Sequence, residues 1–204
     1  MINIATCFWE PNEKSFDFSR MYDESWVEKL YRGFERNLDE PFRFVLYTDK
    51  ERKYEHPEIE QRAVLGDLPG YGACIRPFEM EGPTIFAGLD TVIVGAIGGL
   101  ADWARHRSRL LLPRDPFSPL RACNGSALIP KGHQHIWRKH NDENDMEWLR
   151  AHDHGFIDDE FPGQVKSYKG WVKRYGLGDC RIVYFHGHEK PHEIDEPWIK
   201  EHWK

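Results

Sequence analysis

Apolar residues crowd the start of the chain: Ile2–Phe8 is an almost unbroken apolar run closed by Glu10-Pro11-Asn12, the pattern of a buried strand. A turn-rich stretch follows. Tyr22, Trp26, Val27, Leu30, Tyr31, Phe34 and Leu38 then recur at steps of three and four, with Glu24, Lys29, Arg32 and Glu35 on the other face. That periodicity predicts an amphipathic helix, and Pro41 stops it. Phe42–Thr48 reads as a second strand, parallel to the first, with Asp49 at its exit.

Further on the pattern is choppier. Glu60–Leu65 reads as a third strand, Gly66–Gly72 as a loop, and Thr84–Ala87 and Thr91–Val94 as two β segments split by Gly88-Leu89-Asp90. Leu100–Arg107 is expected to be helical with Trp103 inward, and Ser126–Ile129 a short strand ended by Pro130. Asp142–His152 has a helical pattern, with Asn141 or Asp142 as its cap and Gly155 just past its end. Gln164–Tyr175 fits a helix or extended chain, and Arg181–His186 a last strand. Strands alternating with helices predict an α/β sandwich with a central, mostly parallel sheet flanked by helices. Nothing in residues 1–204 reads as a linker, so a single domain is expected. Ligands of such sheets sit beyond the carboxyl ends of the strands, where Asp49, Asp90 and His186 fall.

Charge narrows the partners. Lys and Arg number 28 against 34 Asp and Glu, a formal net charge of −6. That balance does not suit nucleic acid, whose binding rests on phosphate neutralisation. Cys7, Cys74, Cys123 and Cys180 are too scattered for a zinc knuckle or redox pair. With no basic leader and no apolar run of membrane length, a soluble, cytoplasmic protein with reduced thiols is expected, and the oligomeric state is left open.

Several residues carry candidate chemistry. Asp90 emerges from a buried strand, so it either caps the turn into Thr91 or supplies a hard oxygen ligand to Mg²⁺ or Mn²⁺. His186 closes the last strand as an imidazole able to ligate a metal, and Lys190 follows four residues later, spaced to face a phosphate. His188 and His192 read as exposed turn residues. Asn124, in Cys123-Asn124-Gly125-Ser126, is either a turn residue or an amide for a sugar hydroxyl. Asp145 either complements a helix dipole or reaches a ligand. Arg76 is either a surface arginine or a bidentate diphosphate clamp.

The order of these segments resembles the GT-A glycosyltransferases, especially glycosyltransferase family 8 and its bacterial and phage-like relatives. Ile2–Trp9 is similar to the family's segment along the nucleotide base, which implies roles for Thr6 and Phe8. Tyr71-Gly72-Ala73-Cys74-Ile75-Arg76 resembles the segment whose basic residue touches the donor. Phe86 to Val94 resembles the strand bearing Asp-x-Asp, although Gly88 stands at its first position. Asn124–Ile129 resembles the next, Asn-containing strand, and Asp145 falls at the family's acidic residue near the transferred sugar. His186-Gly187-His188-Glu189-Lys190-Pro191 is similar to the motif whose His binds metal and whose Lys meets the diphosphate, but here the His directly precedes the Gly.

The resemblance implies a GT-A-like (Rossmann-like) domain and a metal-dependent, hexosyltransferase-like enzyme. It would move a sugar from a nucleotide-sugar donor, by default a UDP-sugar, to a glycan or other hydroxyl acceptor. Asp90 and His186 would hold Mn²⁺ or Mg²⁺; Asp90, Asp145 and Lys190 would serve catalysis; Thr6, Phe8, Arg76, Asn124 and Lys190 would bind the donor. Gly88 motivates the alternative of a non-catalytic nucleotide-sugar or glycan-binding module. A metal-dependent phosphoesterase built on His and Asp is a third reading, without a recognised spacing behind it.

Overall fold

Successive side chains of a strand point to opposite faces of its sheet, and the first strands are apolar on both, so layers must cover both sides. The computed structural model describes residues Met1–Lys204. Its strands are β1 (Ile2–Phe8), β2 (Phe42–Thr48), β3 (Ile59–Ala63), β4 (Thr84–Ala87), β5 (Val92–Ile93), β6 (Leu111–Leu112), β7 (Arg114–Asp115), β8 (Ser118–Ala122), β9 (Ser126–Ile129), β10 (Gly155–Phe156), β11 (Val165–Ser167) and β12 (Ile182–Tyr184). The central sheet has the order β10-β6-β9-β4-β1-β2-β3. Its pairings are parallel except those of β9, which runs against both β4 and β6.

One face of the sheet offers Ile2, Ile4, Phe8, Phe44, Leu46 and Ile85 to the helices Glu24–Asn37 and Gly98–His106. The other offers Ala5, Cys7, Val45, Tyr47 and Phe86 to a 3₁₀ segment, Tyr71–Glu79, and the short helices Gln134–Arg138 and Asp145–Arg150. A smaller sheet, β11-β12-β5, packs Val92, Val183 and Phe185 against Tyr168, Val172 and Ile199. β7 and β8 form a separate hairpin. No helix is long and apolar enough to cross a membrane.

The α/β architecture is as expected, and so are β1, β2, β4 and β9 to the residue. The amphipathic helix starts at Glu24, because the Asp23 side chain accepts the Ser25 amide at 2.9 Å and caps it. Tyr22 therefore lies outside the helix. The helix expected over 142–152 spans only Asp145–Arg150: Asn144 is the cap, accepting the amides of Met146 and Glu147 at 3.1 and 3.3 Å. Asp142 instead takes a left-handed backbone, and Gly155 belongs to β10. The segment 164–175 divides into β11, a π-helical turn over Tyr168–Val172 and one turn of α-helix.

Candidate functional site

The carboxyl ends of β1, β4 and β12 meet at one rim. Because β9 is antiparallel to β4, with Ala87 opposite Ser126, its amino end arrives there too and carries Asn124 and Gly125. The Gly125 carbonyl fastens this corner, accepting from the Gly88 amide at 3.3 Å and the Thr91 hydroxyl at 3.4 Å. Beyond β12 the chain reverses through Gly187 (φ 61°) and Glu189 (φ 65°), a left-handed path that suits glycine at the first of them. The reversal carries Lys190 back over Asp90. Around these ends lies an open cavity of about 810 Å³, within the roughly 300–1,000 Å³ usual for small-molecule sites.

Asp90 and Lys190 form a buried ion pair, only 8% and 7% exposed. The Asp90 oxygen that takes the Lys190 ammonium, Oδ2, also accepts the Tyr22 hydroxyl at 3.1 Å. Burial, then the Asp90 charge, pushes the Tyr22 phenol well above its ordinary pKa, so it stays protonated and donating. Across the cavity Asn124 Nδ2 donates to Asp145 Oδ2 at 2.8 Å. Burial raises the pKa of Asp145 against the opposing pull of that hydrogen bond. Asn124 Oδ1 and Asp145 Oδ1 are both buried without a partner. Such atoms cost free energy unless a ligand supplies donors.

His186 lines the same cavity. Its Nε2 lies 2.8 Å from Ser167 Oγ, which also accepts the Gly170 amide at 3.0 Å. Burial, then the neighbouring Lys169 and Lys190, lowers its pKa and favours the neutral ring. An aromatic wall completes the site: Phe18 and Tyr71 stack at 3.8 Å and 14°, with Trp9 edge-on to Phe18 at 6.5 Å.

Phe8 lines the cavity as expected of its strand end. Two expected donor contacts do not. Thr6 is wholly buried away from the cavity lining, two residues short of the β1 end where Phe8 reaches it. Arg76 is held elsewhere, in an ion pair with Glu79 at 2.9 Å and 4.2 Å over the Trp137 ring. Asp49 is also diverted, to Arg52 at 2.8 Å. His188 and His192 are exposed, as expected. Sequence reasoning missed Tyr22, whose inward spacing made it look like core, and the Phe18–Tyr71 pair, which comes from two turn-rich stretches 53 residues apart with no shared period.

No family model and no curated protein matches the chain. Solved structures do. GlyE of Streptococcus pneumoniae TIGR4, a glycosyltransferase, superposes with a TM-score of 0.61 at 11% identity, over 95% of this chain and 56% of its own. An active-site mutant of LgtC gives 0.63 at 10% identity, over 98% and 93% of the two chains. This is a GT-A fold. The bifunctional glycosyltransferase WbbM gives 0.56 at 11% identity, over 98% of this chain and 50% of its own. The chain thus spans about half the length of GlyE and WbbM and nearly all of LgtC.

Within this GT-A frame the resemblance implied a divalent ion on Asp90 and His186. The donor set present does not make up such a centre. With Asp90 Oδ2 taken by Lys190 and Tyr22 and His186 Nε2 by Ser167, each keeps one open atom, Oδ1 and Nδ1, and Gly88 offers no side chain to add a third. No three His, Cys, Asp or Glu side chains converge on a common point.

Gly125 cannot carry a larger side chain. A Cβ there would stand 2.7 Å from Cγ of the buried Tyr184 ring, whose hydroxyl is tied to the Arg114 carbonyl at 3.1 Å. Gly125→Ala is expected to cost about 1–3 kcal/mol by overpacking and to displace Asn124. Thermal denaturation checks the first effect, and weakened ligand binding in the surviving folded protein checks the second.

Proposed function

We propose that the chain is a glycosyltransferase acting as one catalytic domain over residues 1–204. It moves a sugar from a nucleoside diphosphate sugar, by default a UDP-sugar, to the hydroxyl of a glycan or other acceptor. The observation that carries this reading is the pairing, in one cavity of the GT-A fold, of a buried ammonium with two buried acceptor atoms that lack donors. A diphosphate supplies negative charge for the first, and sugar hydroxyls supply donors for the second.

The reaction breaks the bond between the sugar's anomeric carbon and the diphosphate oxygen and forms one to the acceptor oxygen. The acceptor's proton is released, and the leaving diphosphate gains negative charge. Lys190 would supply a fixed cation in a sheltered cleft to stabilise that charge. Asn124 and Asp145 would accept from sugar hydroxyls and hold the anomeric carbon in line. The Phe18–Tyr71 wall offers a flat face to the base, with Phe8 beside it. Four free cysteines suit a reducing compartment such as the cytoplasm.

Calorimetric titration with UDP, UMP and uridine tests the assignment, with GDP and CDP as alternative nucleotides. UDP is expected to bind about tenfold or more tightly than uridine, since one charge-assisted contact contributes that much. Equal affinity for uridine and UDP, with GDP and CDP no better, contradicts it.

A further inference from the structure

We propose that in this chain the fixed ammonium of Lys190, and not a divalent ion, neutralises the leaving diphosphate. The inference rests on the nucleotide-sugar reading and goes further, because it names what carries the positive charge.

The carboxyl end of β4 is built for one carboxylate. A Cβ at residue 88 would lie 3.1 Å from Asp90 Oδ1, so a second acidic side chain there would crowd the first. One oxygen of that single carboxylate is already committed: Oδ2 holds the Lys190 ammonium and the Tyr22 hydroxyl in a corner nearly closed to water. A divalent ion on Asp90 would have to enter beside a buried ammonium or expel it. The first places like charges together in a low-dielectric site. The second strands Lys190 in the ligand-free protein, because no other carboxylate pairs with it. His186 Nε2 meets Ser167 Oγ at 2.8 Å, so His186 could offer only Nδ1, and no third His, Cys, Asp or Glu side chain joins it and Asp90.

The same corner suits an anion. An ammonium carries three donors, and Asp90 accepts one of them. The two that remain can donate to phosphate oxygens. A second cation stands just behind the lining: Lys169 Nζ is 3.5 Å from where a Cβ on Gly187 would be, beside the turn that delivers Lys190. Lys169 forms no ion pair, so its charge is available to the second phosphate. Asp90 then serves to hold Lys190 in place. Gly88 is what such a site requires, because a second carboxylate at that position would repel the diphosphate.

UDP binding and the slow hydrolysis of UDP-sugars, measured on chelator-treated protein in EDTA and again with excess Mn²⁺ or Mg²⁺, decide the matter. The UDP dissociation constant and the hydrolysis rate are expected to agree within about twofold across the three conditions. The double variant Lys190→Met/Asp90→Asn, which leaves no unpaired buried charge, should stay folded and lose about tenfold or more in UDP affinity, with no recovery in Mn²⁺. Lys169→Met in an otherwise unchanged chain should weaken UDP by a smaller factor and leave UMP nearly unaffected. Binding or hydrolysis that appears only with metal, or metal rescue of the double variant, overturns the inference while leaving the nucleotide-sugar reading intact. Failure of every nucleoside diphosphate to bind in all conditions overturns both.

Discussion

Lys190→Met is expected to lower stability by about 3–5 kcal/mol, because it leaves the Asp90 carboxylate buried and unpaired. For a chain of this length each kcal/mol moves the melting point by ~2–4 °C, so a fall of about 10 °C is expected. Methionine keeps the length of the aliphatic stem, so the loss reports the charge more than the packing. Adding Asp90→Asn removes the stranded charge and should recover most of the melting temperature without recovering nucleotide binding. That split separates the two roles of the pair. If the single variant melts like the parent, Asp90 is solvated and the corner is not the closed site described above. A double-mutant cycle gives the coupling directly.

Asp145→Asn should separate stability from turnover in the opposite direction. Burial raises the Asp145 pKa, so the ionised form is disfavoured in the folded chain more than in the unfolded one. Its contribution to stability is fully present below the ordinary carboxylate range and is lost as pH rises through the raised folded value. Asparagine carries no such penalty and can still accept from Asn124 through its own amide oxygen. The variant is therefore expected to melt above the parent at pH 7, with the gap closing as pH falls toward the carboxylate range. Turnover should fall by about tenfold to a hundredfold, the worth of one hydrogen bond to a charged group. Melting curves over a pH series, beside rates with a fixed donor, check both halves. A lower melting point at neutral pH would mean that Asp145 is stabilised as an anion.

How much of this was legible in the chain depends on where the deciding interaction lies. β1, β2, β4 and β9 declare themselves, because a buried strand is apolar in its own sequence. The two-residue strands β6 and β10 do not, since their pairing is set by a partner far along the chain, and β7 is too short for its local hairpin to show as a period. Three neighbouring residues, Asn141, Asp142 and Asn144, all have capping side chains, and only the fold chooses Asn144. In the site, Asp90, Asn124, Asp145, His186 and Lys190 were readable as motif residues, and they do gather around one cavity. Arg76 was readable only as an arginine near the right segment; its Glu79 partner lies three residues on within the 3₁₀ turn and claims it. Tyr22 has the spacing of the helical stripe but sits before the cap, which frees its hydroxyl for Asp90.

The most direct test of the central claim is the release of free UDP and transfer of sugar from a panel of UDP-sugars. The parent chain and Asp145→Asn would be compared with and without a mixed set of glycan acceptors. At least one UDP-sugar should be turned over slowly by the parent alone and faster with an acceptor, and Asp145→Asn should be slower in both settings. Tight UDP binding with no release from any donor, whatever the acceptor, would contradict transfer and leave a cavity that holds nucleotide sugars without cleaving them.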